Sequence, residues 1–182
     1  NNDQYIQNGV LTINETEAKT ITKLYCNSMN ILSMDLSNCV NLKILWCNNN
    51  KISSIDLSNC VKLEEFSCSI NNISSVDLSN CVNLKHLNCC NNNILSIDLS
   101  NCVNLKYFDC HNNNIPSIDL SNCMNLRHLG CSFNKILSMD LSNCVYLREL
   151  YCYNNNISRL IIHNDINKVK CYNNQITLLN FT

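Results

Sequence analysis

Two glycines (Gly9, Gly130) and one proline (Pro116) in 182 residues leave the chain nearly without the residues that usually make turns. Its bends must therefore come from Asn, Asp and Ser, whose side chains bond to neighbouring backbone. No apolar run approaches the roughly 20 residues of a membrane-spanning helix. Nor does the given sequence show a basic-plus-apolar secretory leader; it begins at Asn1 rather than Met, which leaves a removed leader or anchor open, and membrane insertion is not expected. Thirteen Lys and Arg against fourteen Asp and Glu give a net charge of −1 and a pI near 6.4. That balance offers nothing to attract nucleic acid or an anionic surface. The sequence contains no CxxC pair either, which removes the commonest zinc-binding spacing.

What is present is repetition. Asparagine is about one residue in five, and the stretch Asn92-Asn93-Ile94-Leu95-Ser96-Ile97-Asp98-Leu99-Ser100-Asn101-Cys102-Val103-Asn104-Leu105-Lys106-Tyr107-Phe108-Asp109-Cys110 returns nearly verbatim every 21 residues. A fixed period in the twenties signals a solenoid, one supersecondary unit stacked on copies of itself. Repeats start at Ile21, Leu42, Leu63, Leu84, Leu105, Leu126 and Leu147, with an incomplete one from about Ile166. Within each, alternation such as Leu45 and Cys47 around Ile44, Trp46 and Asn48 predicts a strand with one buried face. Eight such strands, stacked in parallel about 4.8 Å apart, predict a rod roughly 35–40 Å long.

Fifteen cysteines in a chain of this size would ordinarily suggest disulfides. Fourteen of them, however, fall in two series at the core period: Cys26, Cys47, Cys68, Cys89, Cys110, Cys131, Cys152, Cys171 and Cys39, Cys60, Cys81, Cys102, Cys123, Cys144. Thiols repeating with the core behave as small buried hydrophobes. Reduced, stacked columns are therefore expected, and unpaired thiols favour a reducing interior while leaving surface display open. Only Cys90 is out of register.

Residues 1–20 do not fit the repeat. Tyr5–Gln7, Asn8-Gly9 and Val10–Ile13 predict a hairpin on a two-residue turn, and Asn14-Glu15-Thr16-Glu17 a capping box opening a short helix. The expected organisation is a cap over 1–20 and a solenoid of about eight coils over 21–182. On the side away from the strands, Ser-Ile-Asp-Leu-Ser-Asn-Cys-Val barely varies. Its Ile, Leu, Cys and Val are expected to point inward. Asp35, Asp56, Asp77, Asp98, Asp119 and Asp140 form a column suited either to closing each coil or to holding cations, and its uniformity favours coil closure. The seventh repeat departs from the pattern at Leu160–Asp165.

The unit L-x-x-L-x-C-x-x-N-x-I resembles the leucine-rich repeat family, and its cysteine at the sixth place of a 21-residue unit is similar to the cysteine-ladder, internalin-like subclass. The resemblance spans residues 21–179. It implies an α/β solenoid, a right-handed superhelix with a curved parallel sheet on the concave side and short extended or 3-10 segments on the convex side. It also implies that Asn50, Asn71, Asn92, Asn113, Asn134, Asn155 and Asn174 face inward as a ladder. The family's usual activity is protein binding through the concave side.

Repeats also permit an internal comparison, because positions dictated by scaffolding are uniform and those free to specialise differ. The divergent positions are the third, fifth, seventh and eighth of each coil, which carry the only Trp, most of the Tyr and most of the His. Aromatic side chains on an exposed sheet either anchor a partner or simply cover the sheet. The candidate protein-binding residues are Trp46, His86, Tyr107, Asp109, His111, His128, Phe133, Tyr151, Tyr153 and Tyr172. Cys90 and His111 occupy one position on adjacent coils with Asp109 close by, a set that reads as a thiol nucleophile with its base or as part of a metal site. A shallow sheet with no oxyanion donors argues against catalysis, and no catalytic residue, metal or cofactor is assigned. His86 and His128, about 10 Å apart across two coils, are expected to stack on Tyr107 rather than share an ion. The reading is a non-catalytic scaffold for a protein partner, monomeric or paired end to end. The alternative is an assembly protein self-associating through its ends.

Overall fold

The computed structural model describes residues 5–182; the first four residues of the expected cap lie outside them. An eight-stranded parallel sheet runs through the molecule, its strands being Lys23–Tyr25, Ile44–Trp46, Glu65–Ser67, His86–Asn88, Tyr107–Asp109, His128–Gly130, Glu149–Tyr151 and Lys168–Lys170. Register is constant, Leu45 standing between Leu24 and Phe66, and Phe108 between Leu87 and Leu129. The chain is a parallel-sheet solenoid of about eight turns with few helices.

Each coil closes around the same apolar set. In the fifth coil Leu105, Phe108, Cys110, Ile115, Leu120 and Cys123 are all buried. All fifteen cysteines are free, and only Cys171 is partly exposed. Burial pushes the column thiols upward, Cys26 to about 12 and Cys102 to about 11, because an apolar interior disfavours the thiolate.

The bend after each strand is held by the ladder asparagine. Asn113 Nδ2 donates to the carbonyls of Cys89 and Cys110 at 3.0 Å each, and its Oδ1 accepts from Ile94 N at 2.9 Å. One side chain thus satisfies backbone in two coils that strand pairing cannot reach. On the far side, Asp98 Oδ1 accepts from Ser100 N at 2.9 Å, and the same turn recurs at the other five aspartates. These hydrogen bonds hold the Asp98 carboxyl below its usual range. The column serves coil closure. A second set of asparagines, unremarked in the sequence, laces this side: Asn101 Nδ2 reaches Ser79 O and Asn104 Nδ2 reaches Val82 O in the preceding coil.

One expectation fails here. The residue after the second cysteine points outward, so Val40, Val61, Val82, Val103, Met124 and Val145 form an exposed apolar row. The cause is two successive tight turns, in which Cys102 N donates to Leu99 O and Leu105 N to Cys102 O. They aim the thiol inward and turn its successor to solvent.

At the N-terminal end Ile6–Gln7 and Val10–Thr12 pair antiparallel through Asn8 and Gly9, both at positive φ. Val10–Thr12 then pairs parallel with Ser33–Asp35 on the convex side. The helix Glu15–Ala18 is capped by Asn14, whose side chain accepts from Glu17 N at 3.0 Å. At the other end Ser138–Asp140, Arg159–Ile162 and Leu178–Phe181 build a second convex sheet. The irregular Leu160–Ile162 segment is its middle strand. Among the described residues no helix is long and apolar enough to cross a membrane.

Candidate functional site

Strand alternation places positions three, five and seven of every coil on the open face, and constant register aligns each position with its counterparts. The third-position rings stack along the sheet. His86 and Tyr107 lie 5.5 Å apart at 12°, Tyr107 and His128 4.4 Å apart at 9°, and His128 meets Tyr151 of the next coil at 5.4 Å. At the seventh and eighth positions Phe133 meets Tyr153 edge-on at 5.4 Å, and Tyr153 stacks on Tyr172 at 4.6 Å. Trp46 stands apart from these rows and packs its edge against Tyr25 at 5.0 Å. The candidates therefore form one cluster running from His86 to Tyr172, with Trp46 separate, two coils before His86.

Within the cluster lies a notch of about 270 Å³, lined by Tyr107, Asp109, His111, His128, Gly130, Ser132, Tyr151 and Tyr153. It exists because the sixth coil has Gly130 and Ser132 where its neighbours carry larger side chains. A Cβ on Gly130 would come within 2.5 Å of Asp109 Oδ1 and 2.8 Å of its Cγ, so the glycine makes room for the carboxylate. Asp109 is a hub: Oδ1 lies 2.9 Å from His111 Nδ1 and accepts from His111 N at 3.2 Å, while Tyr107 Oη donates to Oδ2 at 3.5 Å. Burial and the adjacent Asp109 charge push the Tyr107 phenol up to about 12. Tyr151 Oη donates to Glu149 at 2.9 Å, which holds the Glu149 carboxyl below its usual range.

Ser132 was not among the sequence candidates. It is 2% exposed, and its Oγ is the one buried side-chain polar atom without a hydrogen-bond partner among the described residues. The equivalent Ser69 bonds to Asn48 of the preceding coil at 2.8 Å; Ser132 instead follows His111, whose Nδ1 is engaged by Asp109. Its signal in the sequence was the pairing of a small seventh-position residue with Gly130.

Cys90 is placed differently from the sequence expectation. It is 2% exposed rather than displayed on the face, and burial, with the adjacent Asp109 charge, pushes its thiol well up. It is no free nucleophile.

Two further residues carry a backbone signal. Eighth positions sit at positive φ throughout; five of these are Asn, but the third coil has Ile70 at 56° and the sixth Phe133 at 54°. Both are about half exposed.

A model of leucine-rich repeats in two copies matches residues 82–122. Among solved structures, the functional domain of InlJ from Listeria monocytogenes, described as including a cysteine ladder, is 28% identical with a TM-score of 0.72 over 91% of this chain and 42% of its own. The leucine-rich repeat protein LIC12759 of Leptospira interrogans is 20% identical, with a TM-score of 0.82 over 92% of this chain and 47% of that one. Internalin C2 from Listeria monocytogenes is likewise 20% identical, with a TM-score of 0.75 over 93% and 84%. The chain thus spans less than half of the first two. No curated protein matches it.

Proposed function

We propose, from the premise that this chain is a leucine-rich repeat solenoid of the cysteine-ladder, internalin-like type, that it is a non-catalytic scaffold binding a protein partner through its concave face. The repeat scaffold itself is typical of protein–protein interaction. What supports the concave assignment is where the repeats stop agreeing: the divergent positions gather aromatic rings around the Gly130 notch. Exposed rings in a cluster are interface anchors more often than cover, and the notch is sized for a side chain of the partner. The unpaired column thiols favour a reducing compartment, with surface display the alternative that buried thiols also allow.

The test is a peptide-display selection on the reduced protein. The wild type should enrich a family of binders that the Trp46→Ala/Tyr107→Ala/Tyr151→Ala variant fails to retain, with the thermal transition of the variant within a few degrees of wild type. Enriched binders retained equally by the variant would assign binding to another surface.

A further inference from the structure

We propose that Cys90, Asp109 and His111 form a site for one borderline divalent metal ion, zinc being the best fit. Fold register brings the three together. Asp109 and His111 are two residues apart on one face of the fifth coil, and Cys90 holds in the fourth coil the position that His111 holds in the fifth. One ligand atom from each lies within 4.8 Å of the others, the one such group among the described residues. Tetrahedral zinc with bonds of about 2.0–2.3 Å sets its ligands roughly 3.5 Å apart, so side-chain adjustment of about an ångström closes the set.

Two further observations point the same way. Fourteen cysteines are explained by the core period and Cys90 is not, while the seventh position, Cys90 and His111 aside, carries Asn, Ser or Tyr. Asp109 is also already oriented from behind, as ligands of metal centres are, its Oδ2 accepting from Tyr107 Oη at 3.5 Å. A thiolate, an imidazole and a carboxylate select zinc or cobalt over magnesium and calcium, which take oxygen ligands. On binding, the metal–sulfur bond replaces the S–H bond and that proton leaves to solvent. The ion carries no change of oxidation state. A water would complete four-coordination.

Cobalt(II) is the probe, titrated into the fully reduced protein. A saturable absorption from thiolate-to-cobalt charge transfer should appear at one equivalent and disappear on adding one equivalent of zinc. Cys90→Ser should remove the charge-transfer band, and His111→Asn should weaken binding roughly ten-fold or more, the scale set by losing support around a metal. Both substitutions install residues that other coils hold at this position (Ser69, Asn48), and circular dichroism verifies that each variant folds. Should Cys90→Ser fail to fold, the zinc-induced rise in the melting temperature of the wild type, lost in His111→Asn, decides the matter. No charge-transfer band at one equivalent, or an unchanged band in Cys90→Ser, overturns the proposal. The readout needs no protein partner, so its failure leaves the concave-face reading standing.

Discussion

Single residues show where this chain departs from economy of structure. Left-handed backbone costs a side chain about 1–2 kcal/mol, least for Asn and most for a β-branched residue. Six eighth positions accept Asn or Ser; Ile70 and Phe133 carry bulky apolar groups there and leave them about half exposed. Strained positions of this kind persist where function requires them. Ile70→Asn and Phe133→Asn should each raise stability by about 1 kcal/mol in urea unfolding, and Phe133→Asn should weaken a concave-face ligand. A loss of stability in both would show that the apolar side chains serve packing instead.

At the scale of the coil, hydrogen bonds decide more than side-chain volume. Asn113 satisfies an amide in one coil and carbonyls in two, all buried. Asn113→Ala would orphan them together, at about 1–3 kcal/mol per group. A loss of about 3 kcal/mol or more is expected, against less for Asn174→Ala, where the side chain is partly exposed and solvent substitutes. Equal effects at both sites would contradict this account of the ladder. Much of the coil was legible beforehand, because strand alternation, the ladder asparagines and the Asp98 turn all follow from local sequence and period. The outward Val103 was not, since apolarity alone predicts burial and the two turns that rotate it outward depend on backbone geometry. Cys90 differs for a related reason: alternation assigns it to the open face, but Asp109 and His111 of the next coil lie within 4.8 Å of it and it is 2% exposed. The notch was hidden because it depends on what Gly130 and Ser132 lack.

For the molecule as a whole, the sulfur columns set a distinctive response to pH. Their thiols have folded values raised above the unfolded value of about 8.5. The unfolded chain therefore ionises first, and the stability held by each buried thiol is complete below about pH 8.5 and lost as pH rises toward its folded value. Each thiol that ionises only on unfolding contributes a slope of about 1.4 kcal/mol per pH unit. In reductant, the melting temperature should fall steeply between pH 8.5 and 10.5 and more gently in variants with column cysteines replaced by Ala. A flat profile would mean that the sulfurs are solvated or bridged.

Two surfaces run the length of this solenoid: the divergent concave face and the uniform apolar row of Val40, Val61, Val82, Val103, Met124 and Val145. Both expose apolar groups, so exposure alone does not choose between them. The deciding measurement is an alanine scan of both surfaces against one binder selected on the wild type, with affinity and melting temperature read for every variant. Losses of ten-fold or more should fall at Tyr107, Phe133, Tyr151 and Tyr153 and be absent along the valine row, with melting temperatures little changed. Losses confined to Val82, Val103 and Met124 would contradict the concave assignment.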